Sequence, residues 1–272
     1  MKGSLRITIR SIVLTALVAP LLGFLLVLLL ELFLKIEISK LVSAIINLVV
    51  VAPIAFLLFP RVLGIPFGVT GTREYLKGIG FYFPSDAWKH ILLGLILAAC
   101  TLGGMLVASL LTGRYTPDPS TINLPHIVFC LNPALWEELF FRGVLMILLL
   151  QYTRSLKKAF VIQVIIFGLT HIKGTDLGAF VDVFSVMIIA VGATFVAYQT
   201  RSLVAGIVFH YFHDVLLYFV QPPGADQFGF SENAIFYSLL WLMIGVGCVI
   251  TWFAAEKFGV RAKTPLYDPE RV

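Results

Sequence analysis

Residues 125–150 read PHIVFCLNPALWEELFFRGVLMILLL, an apolar run that carries Glu137, Glu138 and Arg142 near its middle. About twenty consecutive apolar residues cross a bilayer as a helix, so the run is long enough to span. On insertion scales a centrally placed Asp, Lys or Arg costs about 2.5–3.5 kcal/mol, and a glutamate belongs in a similar range. Three such groups in one helix need partners or a wet cavity, and an intramembrane cluster of this kind is a candidate functional site by default.

Working outward, apolar runs of bilayer length recur along nearly the whole chain. The 272 residues are 59% hydrophobic and only 13% charged, with a mean hydropathy of +0.97, a balance that excludes an ordinary soluble domain. The expected spans are 11–34, 41–60, 90–112, 125–150, 156–172, 177–199, 201–220 and 234–256. The fold class is therefore all-α, a polytopic transmembrane helical bundle of about eight helices, and residues 1–272 form a single membrane domain. The first span follows Lys2, Arg6 and Arg10 without a small-residue cleavage site after it, and it is read as an anchor.

The net charge of +5 carries no basic face interleaved with aromatics, so the expected partner is the lipid bilayer, with no nucleic acid. The cations sort by loop instead. With the N-terminus inside, fifteen Lys and Arg fall in cytoplasmic segments, and only Lys35, Lys40, Arg114 and Lys173 fall outside. That asymmetry places both termini in the cytoplasm, and a prokaryotic plasma membrane is the expected location. Residues 61–89 mix Gly and Pro with Phe81, Tyr82, Phe83 and Trp88, a composition for a segment at the headgroup level. Cys100, Cys130 and Cys248 lie in apolar runs without CxxC spacing, as packing residues do.

Glu138 and Arg142 stand four apart in the favourable acid-first order and share a helix face, where they neutralise each other. Glu137 is turned about 100° away and needs another partner. Two further runs offer imidazoles. In the first, Phe167 lies one turn below His171 as an apolar wall; in the second, Asp214 lies one turn above His210 and can orient it. Three helices thus converge on one polar pocket. A carboxylate beside a histidine, poorly hydrated, suits holding and deprotonating a water, and a second histidine can donate to the oxyanion formed on a scissile carbonyl. That is a hydrolase without a serine or cysteine nucleophile. His213 is expected as a satisfied histidine beside the site, and Asp182 and Glu31 as snorkelling residues near the outer ends of their spans.

The three runs, Glu137-Glu138-x-x-x-Arg142, Phe167-x-x-x-His171 and His210-x-x-x-Asp214, resemble the motifs EExxxR, FxxxH and HxxxN of the CPBP or Abi family, the CAAX proteases and bacteriocin-processing enzymes. The resemblance covers about 90–220, the CPBP-like catalytic core. It implies an intramembrane endopeptidase like the type II CAAX prenyl proteases, cleaving near the C-terminus of a membrane-associated or prenylated substrate, a peptide or lipidated protein. Carried over, it implies that Glu137 and His171 activate the water and that His210 and position 214 form the oxyanion site. Glu138 and Arg142 would brace the helices. Position 214 is Asp here where the family's Ras-converting enzyme has Asn. An ionised Asp has no proton to donate, so Asp214 must either be protonated or act by orienting His210, and the orienting role is the one expected.

No cofactor is expected. The alternative is a zinc ion on Glu137, His171 and His210, a two-histidine, one-carboxylate set, although no HExxH helix is present. The alternative function is a non-catalytic immunity, scaffold or peptide-binding protein of the same fold. A proton-coupled transporter would also place acids and histidines in the membrane, but no pair of broken helices stands in matching halves.

Overall fold

The computed structural model describes residues 72–113, 117–172, 177–220 and 230–262, with backbone alone over 177–182 and 230–233, and isolated helical positions at Leu29, Leu32, Phe33, Val42, Ile45 and Val49. Among the described residues there are seven helices and no strand. They are α1 (Thr72–Gly78), α2 (Ala87–Thr112), α3 (124–153), α4 (Leu156–Leu169), α5 (Leu177–Thr200), α6 (Val204–Val220) and α7 (Phe230–Lys257), with a 3₁₀ turn at Pro119–Thr121. Six of the eight expected spans fall on α2–α7. The other two, 11–34 and 41–60, lie outside the described residues apart from those isolated positions, as does Glu31, and the side chain of Asp182 is likewise outside them. Ala87–Thr112, Val183–Thr200 and Ala234–Lys257 are long and apolar enough to cross a membrane, and Val204–Val220 is a shorter apolar helix.

α3 is one rod made of three pieces, α-helical over Leu124–Glu137, π-helical over Glu138–Leu145 and α-helical again over Met146–Thr153. It starts where the Asn123 side chain accepts the His126 N–H at 3.1 Å, with Pro125 in the first turn, where a missing donor costs nothing. Pro133 removes a donor from the interior. In the π segment the Met146 N–H reaches back five residues to the Phe141 carbonyl. Such widened turns are rare in helices and concentrate at functional sites. The rod ends at Arg154 in the left-handed region, φ 51°.

α2 packs along α6 and α7, α5 against α4, α6 and α7, and α3 against α6. Close approach of α2 to α6 depends on Gly94, where a Cβ would stand 2.6 Å from the Ala205 carbonyl oxygen, the small-residue contact that membrane helices use in place of a hydrophobic driving force. In the segment expected at the headgroup level Phe83 and Trp88 are exposed, while Tyr75 on α1 and Ile79 just past its end are buried in the core. The segment is held there by backbone bonding to the start of α6: the Leu203 N–H donates to the Gly80 carbonyl at 2.9 Å, and the Ser202 hydroxyl to the Tyr82 carbonyl at 3.3 Å.

Candidate active site

Glu137 is the last residue before the π segment, and its carboxylate lies between two imidazoles. Its Oε1 is 3.7 Å from His171 Nε2 and its Oε2 is 3.9 Å from His210 Nε2. Both separations exceed a direct hydrogen bond. Glu137 keeps 25% of its side-chain surface accessible and His171 27%. His171 sits just past the end of α4, a correction to the expected span 156–172, because the helix closes at Leu169 with Thr170 as its C-cap. Its Nδ1 is 2.8 Å from the Phe167 carbonyl oxygen. A carbonyl only accepts, so Nδ1 carries the proton and the neutral ring presents Nε2 to Glu137 as an acceptor.

His210 is almost fully enclosed and meets three carboxylates. Nδ1 lies 2.8 Å from Glu138 Oε1, and Nε2 lies 3.5 Å from Asp214 Oδ2 as well as near Glu137. The carboxylate Oε1 can only accept, so His210 Nδ1 donates to Glu138. The same Oε1 takes Arg142 Nη1 at 3.1 Å, with both side chains 0% exposed. Glu138 therefore does more than neutralise Arg142. It also holds the inner edge of His210 at closer range than Asp214 holds the outer edge. No pairing rule within one helix reports a bond from α3 to α6, and this role was absent from the sequence reading.

Phe167 lies under this arrangement in the expected place, its ring 4.8 Å from that of His171, with the Arg142 guanidinium 4.0 Å above its face. The ring is thus also a cation–π platform that supports the buried arginine. Gly206, one turn before His210, lets α6 approach: a Cβ there would meet Glu138 Oε2 at 3.1 Å and the Ala193 carbonyl oxygen at 3.3 Å. Its signal in the sequence was a glycine at i−4 from a candidate histidine. His213 is buried against Phe209, ring centroids 5.8 Å apart, and among the described residues its Nδ1 has no hydrogen-bond partner, so it is less satisfied there than expected.

Glu137, Glu138, Arg142, Phe167, His171, His210 and Asp214, drawn from α3, the end of α4 and α6, are thus brought to one place. Among the described residues no three His, Cys, Asp or Glu side chains are arranged to hold a metal ion. A cavity of about 260 Å³ with apolar walls is lined from α2, α3, α6 and the 80–83 segment, including Phe81, Ile91, Leu131, Leu135, Ile207 and Val208, and by none of those seven site residues.

The described residues form a helical bundle with a buried carboxylate and imidazole cluster. Residues 119–216 match the family model described as Rce1-like, type II CAAX prenyl endopeptidase Rce1-like, which supports the resemblance to the CAAX proteases, a family of membrane peptidases. The match takes in every residue of the three motifs and leaves 1–118 and 217–272 outside it. No curated protein matches the chain.

Proposed function

We propose that this protein is an intramembrane endopeptidase of the type II CAAX prenyl protease kind. It would hydrolyse a peptide bond near the C-terminus of a membrane-associated or prenylated substrate through water activated by Glu137 and His171. The observation that carries the proposal is the Glu137 carboxylate facing His171 Nε2 at 3.7 Å, a separation suited to one bridging water. Glu137 and neutral His171 are both acceptors there, so a bridging water gives both hydrogens to them and keeps its lone pairs for the scissile carbonyl. As the water adds, its proton passes to Glu137 and on to the leaving amine. His210 already gives its Nδ1 proton to Glu138, so donation to the oxyanion from Nε2 requires the doubly protonated ring, with Asp214 orienting it as a second acceptor. The apolar cavity whose walls include Leu135 and Ile207, on the same helices as Glu137 and His210, fits the lipid or apolar side chain of such a substrate. Both termini in the cytoplasm of a prokaryotic cell remain part of the proposal, on the strength of the charge asymmetry.

The test is cleavage of a farnesylated CAAX reporter peptide by purified protein stripped of metal, beside Glu137→Gln. Cleavage by wild type alone, indifferent to chelator, is the expected result. Activity that returns only with added zinc would replace the metal-free water with a metal-bound one on Glu137, His171 and His210. Full activity in Glu137→Gln would overturn the mechanism.

A further inference from the structure

Between α4 and α5, away from the carboxylate and imidazole cluster, lies a second cavity of about 260 Å³ lined by Leu156, Lys157, Phe160, Thr194, Phe195 and Tyr198. Its walls are apolar throughout. Lys157 belongs to the first turn of α4 and Tyr198 to the last turn of α5, so residues carrying a cation and a phenol stand at the helix ends and give the cavity only their apolar parts. Phe160 and Phe195 lie about one turn deeper. Thr194 is fully buried and donates to Gln163 Oε1 at 3.2 Å, while the Gln163 amide nitrogen, also buried, has no hydrogen-bond partner among the described residues.

The mouth is set in a basic corner. Arg154, Lys157 and Lys158 are all exposed, and no Asp or Glu occurs from 139 to 175. Arg201 follows directly on the end of α5. Basic pockets at the ends of membrane helices recognise anionic lipid headgroups, and each cation close to the surface favours them by about fivefold. A free anion would gain nothing from the aromatic walls, and a neutral hydrocarbon nothing from the lysine.

We propose that this cavity is a binding site for one anionic phospholipid, its headgroup on Lys157 and Tyr198 and the start of its acyl chain between Phe160 and Phe195. The site requires nothing of the peptidase chemistry and stands or falls separately from it. Native mass spectrometry of the full chain from detergent, after exchange with phosphatidylglycerol or phosphatidylcholine, reads it directly. Wild type should retain phosphatidylglycerol at least fivefold more than phosphatidylcholine. Lys157→Gln should lose about fivefold of that retention, Lys158→Gln clearly less, and neither should change phosphatidylcholine retention. Millimolar glycerol phosphate should displace nothing. Equal retention of the two lipids, equal loss in the two lysine variants or displacement by glycerol phosphate would overturn the proposal. The first result would mean an unselective annular lipid, the second a diffuse surface charge and the third a simple anion site.

Discussion

Replacing Glu138 by Ala exposes how much the buried charges depend on one another. The side chain has no exposure and its Oε1 serves both Arg142 Nη1 at 3.1 Å and His210 Nδ1 at 2.8 Å. Truncation leaves the Arg142 guanidinium buried without its carboxylate, and breaking a buried pair from one side costs about 3–5 kcal/mol. The Phe167 ring 4.0 Å beneath the cation returns at most about 2 kcal/mol, and it contributes that in the wild type already. A kcal/mol moves the melting temperature of a chain of this order by roughly 2–4 °C, so Glu138→Ala should melt roughly 10 °C below wild type. Glu138→Gln retains an acceptor for His210 and should fall between them. Removing both charges with Glu138→Leu and Arg142→Met together should recover more than half of the loss, because an apolar pair of similar volume avoids the desolvation cost. Scanning fluorimetry on protein in detergent gives the three midpoints. A Glu138→Ala midpoint within about 2 °C of wild type, or a double variant no better than the single, would refute the buried-pair reasoning.

Gly206→Ala places a methyl 3.1 Å from Glu138 Oε2 and 3.3 Å from the Ala193 carbonyl, an overpacking worth about 1–3 kcal/mol. It should lower kcat at least tenfold with KM little changed, as steady-state kinetics would show. Asp214→Asn keeps an oxygen acceptor 3.5 Å from His210 Nε2 and should retain kcat within about tenfold, whereas Asp214→Leu should lose more than a hundredfold; equal losses would remove the orienting role. In the loop before α3, the Ser120 hydroxyl and N–H, at 2.7 and 2.9 Å, hold the Asp118 carboxyl below its ordinary value. A depressed value means that the turn's contribution is present at neutral pH and is lost as pH falls through the folded value. Ser120→Ala should move the Asp118 carbon-13 titration upward toward about 3.9, and an unmoved titration would sink the assignment.

Much of the site was legible because charge in hydrocarbon is conspicuous. Glu137, His171, His210 and Asp214 stood out against apolar surroundings, and their i,i+4 companions Arg142 and Phe167 followed from helix geometry. What joins one helix to another did not follow. Whether Glu138 meets His210 depends on the rotation of α3 relative to α6, which no spacing within either helix encodes. The helix boundary at Leu169 was also missed, since hydropathy continues through Ile172 while the backbone has already turned. The burial of Tyr75 escaped for a related reason: an aromatic near a basic residue has the same composition at a lipid headgroup as in a core under α6.

The π segment of α3 makes the spacing between Glu137 and Arg142 a matter of length as well as identity. A π turn is equivalent to one inserted residue in an α-helix, so the α segments on either side, Leu124–Glu137 and Met146–Thr153, keep the phase of a rod one residue shorter. Deleting one apolar residue from 138 to 145 lets the rod relax to regular α geometry with those flanks still in register, and the change falls on the residues inside the stretch. A deletion in either flank has no widened turn to absorb it: everything before it rotates by about 100° and shifts by about 1.5 Å relative to everything after it. Deletion scanning across α3 should therefore show the apolar members of the widened stretch as a window of tolerance between two intolerant flanks.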